Sequence, residues 1–227
     1  MGEKNTFVSL AALAVASVSD SSAADVEFDP AVQAVASWRF GDSREPLTAL
    51  ADLVKASKSA PPKLFALERQ FAALLLSSDT TYECKDFICR QLWIVGTRVS
   101  VPALAPMLAD ERYSDMARYA LERNPAPAAG KALSDALGQA SGKARIGIIN
   151  TLGARRDRSA VLALEKIVAG TDEDAAVAAA SALGAIGGVK PTAILARAKQ
   201  VGAPKVQDAA TLALTAMNGK PGPRIRK

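Results

Sequence analysis

The sequence contains no histidine and only two cysteines among its 227 residues. Without an imidazole, every catalytic scheme that uses a histidine base is excluded, and so are most zinc and haem sites. Two cysteines by themselves cannot complete a metal shell. Cys84 and Cys89 are five residues apart, so within one helix they point in different directions, and we expect two independent thiols. We expect no cofactor and no bound metal.

Aromatic residues are scarce as well, with two Trp, three Tyr and six Phe. The apolar fraction of 49% still suffices for a buried core, and Ala and Leu supply most of it. Such a core favours closely packed helices over sheets, so the predicted fold class is all-α. No segment after the first 24 residues has the roughly eighteen successive apolar residues that span a bilayer. We therefore expect no membrane span in the mature protein.

The charge of the chain is concentrated at its C-terminus. The formal net charge is +5, and the segment 218–227 (NGKPGPRIRK) contains four cations and no acid. We expect this segment to be a flexible basic tail. The rest of the chain is almost neutral, which disfavours a nucleic-acid partner on electrostatic grounds.

The first 24 residues resemble a secretory leader. Lys4 precedes a moderately apolar run over residues 7–18, and the small residues at 22–24 match the pattern that a signal peptidase recognises. The sequence predicts a periplasmic or otherwise exported protein on this basis. An ordinary N-terminal leader and a cytoplasmic location remain the alternative, because Glu3 weakens the basic start of the segment.

The strongest pattern is a leucine that recurs every 31 residues. A second leucine recurs at the same spacing, twelve residues later in each unit. Regular recurrence of this length is the signature of a repeat architecture. The two sets are Leu121, Leu152, Leu183 and Leu214, and Leu133, Leu164 and Leu195.

Within each unit the spacing of apolar residues is helical. Ala175, Ala179 and Leu183 lie at i, i+4 and i+8, which forms one stripe of an α-helix. The unit is therefore helix, turn, helix, and neighbouring units must stack to bury their apolar sides. Glycines near the landmark leucines are expected to end the first helix in a left-handed conformation: Gly153, Gly184, Gly187 and Gly188.

These patterns divide the chain into a leader (1–24), an N-terminal helical repeat with an inserted helix (25–82), a regular repeat array (83–217) and the basic tail (218–227). The last helix is expected to cap the array. The predicted helices are 30–40, 44–57, 62–77, 83–95, 100–109, 113–122, 127–138, 143–153, 158–169, 173–186, 190–200 and 204–217.

The run KARIGIINTLGARRDRSAVLALEKIV, followed by DEDAAVAAASALGAIGGVKPTAILARA, resembles HEAT repeats. It is most similar to the short HEAT-like repeats of phycobilisome lyases and of bacterial proteins with undefined activity. The resemblance is good over 83–217 and loose over 30–60. It implies an α-solenoid of two-helix repeats with a period of about 31 residues. It implies little about function, because one scaffold serves many activities.

One position in each unit is predicted to lie on the surface of the Leu-Gly helix. The residue two before the landmark leucine points about 200° away from it and hence away from the core. These residues change from aromatic to polar along the array, as suits a groove that binds a peptide. The first unit has a shorter loop, which can shift the register of its helix. Trp93 would then be a core residue instead of a surface residue, and this alternative stays open. The four candidates are Trp93, Tyr119, Asn150 and Ser181.

Arginines gather on two adjacent units and complete the predicted partner-binding site. They either pair with acids between repeats or form a patch that recognises the carboxylate of a peptide or a phosphate. The arginines concerned are Arg118, Arg145, Arg155, Arg156 and Arg158.

The leading hypothesis for function is a non-enzymatic scaffold that binds a protein or peptide on the Leu-Gly helices. One alternative is a lyase or cofactor-attachment helper of the phycobilisome-lyase type, with Cys89 as its thiol. A second alternative is a HEAT-like protein that binds nucleic acid. The sequence predicts neither the identity of the partner nor the oligomeric state.

Overall fold

The computed structural model describes residues 28–218, and this part of the chain contains helices and no strand. The all-α prediction is confirmed. The helices are α1 (Pro30–Val35), α2 (Glu45–Ser57), α3 (Pro61–Leu76), α4 (Tyr82–Val95), α5 (Val101–Leu104), α6 (Ser114–Glu122), α7 (Pro127–Ala136), α8 (Gly142–Ala154), α9 (Val161–Val168), α10 (Glu173–Ile186), α11 (Val189–Val201) and α12 (Pro204–Asn218).

The helices form two layers. Helices α4, α6, α8, α10 and α12 pack one upon the next in the first layer. Helices α1, α3, α5 and α7 follow one another in the second layer, which α9 and α11 continue. Each helix of one layer also packs on its chain neighbour in the other, so the unit is a two-helix hairpin. The protein is an α-solenoid of stacked HEAT-like repeats, as the sequence predicts.

The recurring leucines form the buried core along which the repeats stack. Leu121, Leu152 and Leu183 are completely buried, as are the three leucines of the second set. Leu214 is only half-buried, because α12 has no further helix of its layer packed outside it within residues 28–218. Equivalent positions in successive units thus have equivalent surroundings until the array ends.

Two of the predicted helix-ending glycines have a different role. Gly153 and Gly184 lie inside α8 and α10 and do not have positive φ angles. A Cβ atom on Gly153 would stand 2.9 Å from the Cβ atom of Ala182, and one on Gly184 would stand 2.7 Å from that of Ala213. The prediction of C-caps was wrong here, because these glycines allow neighbouring helices to approach closely. Gly187 does end α10 with a positive φ of +69°, whereas Gly188, with φ of +100°, is the N-cap residue of α11.

Helix α12 ends the described array with a polar outer face. Gly184 of α10 faces α12, and the 31-residue repeat relates Ala180 and Gly184 to Thr211 and Thr215 of α12. Both threonine hydroxyls donate to carbonyls of their own helix, at 2.8 and 2.9 Å. A polar outer face is what a terminal repeat needs to avoid stacking on further copies.

Prolines shorten one predicted helix. The segment 100–109 was expected to be continuous, but α5 ends at Leu104 and a 3-10 turn, Ala105–Leu108, follows. Pro106 lacks the N–H that an α-helix would bond to the carbonyl of Pro102, so the helix cannot continue regularly. The first helix also ends at Val35 rather than at residue 40.

No helix within residues 28–218 is both long enough and apolar enough to cross a bilayer. The predicted leader at 1–24 lies outside the described residues, and so does the predicted tail apart from Asn218.

Candidate functional site

The predicted surface residues occupy corresponding positions on four successive helices of the first layer. Trp93 lies on α4, Tyr119 on α6, Asn150 on α8 and Ser181 on α10. Tyr119 is 45% exposed, Asn150 and Ser181 are exposed, and Trp93 is half-buried. We call these four residues the column. Trp93 thus has a place in both of the alternatives that the sequence left open, since part of its ring packs and part reaches solvent.

The two aromatic members of the column touch each other. The ring centroids of Trp93 and Tyr119 are 5.4 Å apart, with an angle of 15° between the ring planes. The guanidinium of Arg123 lies 4.7 Å from the centroid of the Trp93 ring. Stacking and cation–π contacts restrict the rotamers of all three side chains. This end of the column is a rigid aromatic surface that loses little entropy when a ligand binds.

The polar members are less constrained. The Ser181 hydroxyl donates to the carbonyl of Val177 at 3.1 Å. The amide of Asn150 makes no hydrogen bond within residues 28–218, so both its donor and its acceptor face solvent. A side-chain amide in this state can bond to the backbone of an extended peptide.

The column continues into α12 through a residue that our sequence reasoning missed. Leu212 stands two residues before Leu214, which is the offset that defines the other members, and it is 71% exposed. Leu212 and Ser181 line a shallow groove of about 620 Å³ between α10 and α12, with Val177 and Ala185 as further apolar walls. The same 31-residue rule would have found Leu212 if it had been applied to the last helix.

Three of the five predicted arginines tie adjacent repeats together. Arg118 on α6 lies against the backbone of Gly147 on α8, pairs with Asp115 and donates to the Thr151 hydroxyl at 3.4 Å. Arg145 on α8 lies 3.8 Å from Asp172, the N-cap residue of α10. These contacts correspond to the inter-repeat alternative of the sequence prediction.

Arg155 is the most deeply placed of the three. Its guanidinium donates to the carbonyl of Leu121, to that of Glu122 at 3.2 Å and to that of Asn124 at 2.7 Å. These carbonyls end α6, so Arg155 caps that helix from the next repeat. Burial lowers the pKa of the Arg155 guanidinium, and the carboxylates of Asp157 and Glu122 oppose that change. All three hydrogen bonds come from Nη1, so this group of the guanidinium is committed to the fold.

Arg156 and Arg158 are exposed at the turn between α8 and α9. Arg156 has a left-handed backbone with φ of +52°. Its N–H donates to the carbonyl of Gly153 at 2.9 Å, and the N–H of Asp157 donates to that of Leu152 at 3.1 Å. This pair of bonds is a Schellman motif, so helix α8 ends here and Arg156 points outward.

A buried carboxylate is a second residue that our sequence reasoning missed. Glu68 on α3 is almost completely buried. It accepts hydrogen bonds from the N–H of Thr97 at 2.6 Å, from the Thr97 hydroxyl at 2.7 Å and from the N–H of Ser100 at 3.1 Å. Glu68 thereby holds the turn that precedes α5. A lone acid inside the apolar run of α3 was the signal available in the sequence.

The cysteines are buried and form no disulfide, which confirms two independent thiols. Burial raises the pKa of the Cys84 thiol to about 12, although Lys85 opposes this. Burial likewise raises the pKa of Cys89, and the neighbouring charge of Asp86 adds to the effect. Neither thiol has the exposed, electropositive surroundings of a reactive cysteine. Within residues 28–218 no group of three or more His, Cys, Asp and Glu side chains is arranged to hold a metal.

No protein-family model matches the chain, and no curated protein matches it. Among solved structures, 11 chains match. One is human deoxyhypusine hydroxylase in complex with glycerol, at 18% identity and a TM-score of 0.49, with 78% of this chain and 75% of that chain covered. The two chains are similar in their helical repeat fold.

This comparison corrects one sequence-based prediction. We expected the protein not to be an enzyme, but a solved structure with a similar helical repeat fold is that of a hydroxylase. The expectation relied on the absence of histidine and on the scaffold-like fold, and it is withdrawn. The neighbour's activity is a property of that protein, because a likeness at this identity concerns the fold.

Proposed function

We propose that the protein binds another protein, or a peptide segment of one, along the exposed surface of α4, α6, α8, α10 and α12. The observation that carries this proposal is the stacked pair of Trp93 and Tyr119 on a surface that continues to Leu212. Rigid aromatic side chains are the commonest anchors of protein interfaces. The free amide of Asn150 and the apolar groove beside Ser181 supply the polar and apolar contacts that an extended peptide requires.

The two other functions have less support. A lyase or attachment helper of the phycobilisome-lyase HEAT-like type needs a reactive thiol, whereas burial raises the pKa of Cys89. A nucleic-acid-binding protein needs a continuous positive surface, whereas three arginines of the predicted patch are already engaged. Arg118 pairs with Asp115 of its own helix, and Arg145 and Arg155 contact an acid and a carbonyl of neighbouring repeats. We also propose export of the protein on the basis of its leader, with a cytoplasmic location as the alternative.

Affinity capture from extracts of the source cells, followed by mass spectrometry, tests the proposed function. Full-length protein serves as bait beside Tyr119→Ala and Asn150→Ala variants. We expect Tyr119→Ala to reduce the recovery of a specific partner by about tenfold, because loss of an interface anchor costs about 1–2 kcal/mol. We expect a smaller reduction for Asn150→Ala.

Arg197→Ala is the matched control, because Arg197 is an exposed residue of α11 on the other layer. Its bait should recover the partner as wild type does. Equal recovery of the partner by wild-type and Tyr119→Ala baits would show that the column is not the binding surface.

A further inference from the structure

The C-terminal ends of three neighbouring helices are joined along one edge of the first layer. The side-chain amide of Asn124, just after α6, donates to the carbonyl of Thr97, just after α4, at 2.8 Å. The guanidinium of Arg155, just after α8, donates to the carbonyl of Asn124 at 2.7 Å. These bonds hold the ends of α4, α6 and α8 side by side.

An exposed arginine lies next in sequence to each of the three joined residues. Arg98 follows Thr97, Arg123 precedes Asn124 and Arg156 follows Arg155. We call Arg98, Arg123 and Arg156 the arginine edge. Because their chain neighbours are bonded to one another, the three backbone positions are fixed in one row, with one arginine for each repeat.

These arginines have few acidic neighbours. Arg98 and Arg156 have no carboxylate partner among residues 28–218, and Arg123 lies on the ring of Trp93. The helix dipole favours cations near helix C-termini. This interaction does not use the N–H groups of the guanidinium, which stay available to a ligand. The carboxylates on this edge are Glu122, which is exposed, and Asp157, which accepts bonds from Ser159 and lies 3.8 Å from Arg155.

A shallow apolar pocket of about 480 Å³ lies beside Arg98. It is formed where the turn after α4 meets the turn after α6 and the start of α3. Phe65, which is 49% exposed, forms one wall. A pocket of this size and composition accepts an apolar side chain of a ligand. The remaining lining residues are Thr97, Val99, Pro125, Ala126 and Pro127.

The spacing expected for the row matches a peptide in the polyproline II conformation. Packed helices lie about 8–10 Å apart, and a polyproline II chain advances about 3.1 Å per residue with three residues per turn. Acidic side chains at every third residue would therefore lie on one face of the peptide and meet successive arginines. The fork of a guanidinium matches a carboxylate with two parallel hydrogen bonds. Nucleic acid is disfavoured, because single strands need open aromatic faces for base stacking and the Trp93 ring is covered by Arg123.

We propose that the arginine edge and the Phe65 pocket together bind an acidic segment of a partner protein. Carboxylates of the segment pair with Arg98, Arg123 and Arg156, and one apolar side chain fills the pocket. The inference rests on the proposed function, since it specifies the chemistry of the partner. The edge adjoins the column where Arg123 lies on Trp93, but Arg98, Arg156 and Phe65 are outside the column, so the two can fail separately.

The test uses full-length protein and a fluorescein-labelled peptide with three glutamates spaced by two residues and one leucine. The control peptide has glutamine in place of each glutamate. Fluorescence anisotropy at low salt should show binding of the glutamate peptide at least tenfold tighter than of the control peptide. Arg98→Glu and Arg156→Glu should each weaken binding about five- to tenfold, and added salt should weaken it further.

Two exposed residues elsewhere supply matched controls. Arg197→Glu changes the net charge equally and should leave peptide affinity within twofold of wild type. Phe65→Ser should weaken binding about fivefold, whereas Leu162→Ser, at an exposed apolar residue away from the pocket, should not. Circular dichroism of each variant confirms that its helices are intact.

Several outcomes would overturn the inference: no binding of the glutamate peptide, equal affinity for the glutamine peptide, or equal losses for Arg98→Glu and Arg197→Glu. Tighter binding of a labelled oligothymidine, lost in the same arginine variants, would assign the edge to nucleic acid instead. If partner capture depends on Tyr119 but not on Arg98 or Arg156, the proposed function stands and this inference fails.

Discussion

Replacing Leu152 by alanine is expected to lower the free energy of unfolding by about 2–5 kcal/mol. The side chain of Leu152 is completely buried on α8, which packs against both α6 and α10. Truncation leaves a cavity in the line between two repeats and removes contacts from both. Leu183→Ala on α10 should cost a similar amount, because that leucine is also completely buried. Urea unfolding followed by far-UV circular dichroism measures both losses.

Leu162→Ala is the control for these variants. Leu162 lies on α9 and is 59% exposed, so its truncation should change the free energy of unfolding by no more than about 0.5 kcal/mol. If Leu152→Ala and Leu162→Ala had the same small effect, the recurring leucines would not form the core of a repeat array.

Replacing Glu68 by alanine is expected to cost about 2–4 kcal/mol of unfolding free energy. The variant removes the acceptor of three hydrogen bonds and leaves the N–H groups of Thr97 and of the buried Ser100 without a partner. Unsatisfied buried donors cost about 1–3 kcal/mol each, less whatever water restores. Glu68→Gln should lose less, since one side-chain oxygen still accepts. The same urea experiment measures both variants.

Glu111→Ala is the comparison for Glu68, because Glu111 is an exposed carboxylate between two helices. It should change stability by less than about 0.5 kcal/mol. A Glu68→Ala variant as stable as wild type would mean that the turn over 97–100 is not held by this carboxylate.

The helices and the order of the repeats could be predicted from the sequence because both follow from local spacing. The 31-residue recurrence of Leu121, Leu152 and Leu183 identified the units, and the helical stripe within each unit identified the helices. The structural role of Gly153 could not be predicted in the same way. A glycine that ends a helix and a glycine that admits a neighbouring helix look alike until the position of Ala182 is known.

The sequence predicted which residues lie on the binding surface but not which side chains touch each other there. The offset of two residues from each landmark leucine identified Trp93 and Tyr119, yet their stacking depends on how far α4 and α6 are displaced along each other. Arg155 and Glu68 depend on the same kind of information, since their partners lie in other repeats. Sequence spacing says which residues share a face, whereas partners across repeats require the three-dimensional packing.

Hydrogen exchange of the full-length protein, resolved by helix, tests most directly that the chain is a row of mutually dependent repeats. Helices packed on both sides should exchange most slowly, because opening them disrupts two interfaces. We therefore predict the strongest protection in α8 and α10, and weaker protection towards α12 and α1. Protection of α12 equal to that of α8 and α10, or rapid exchange throughout α8, would contradict the account.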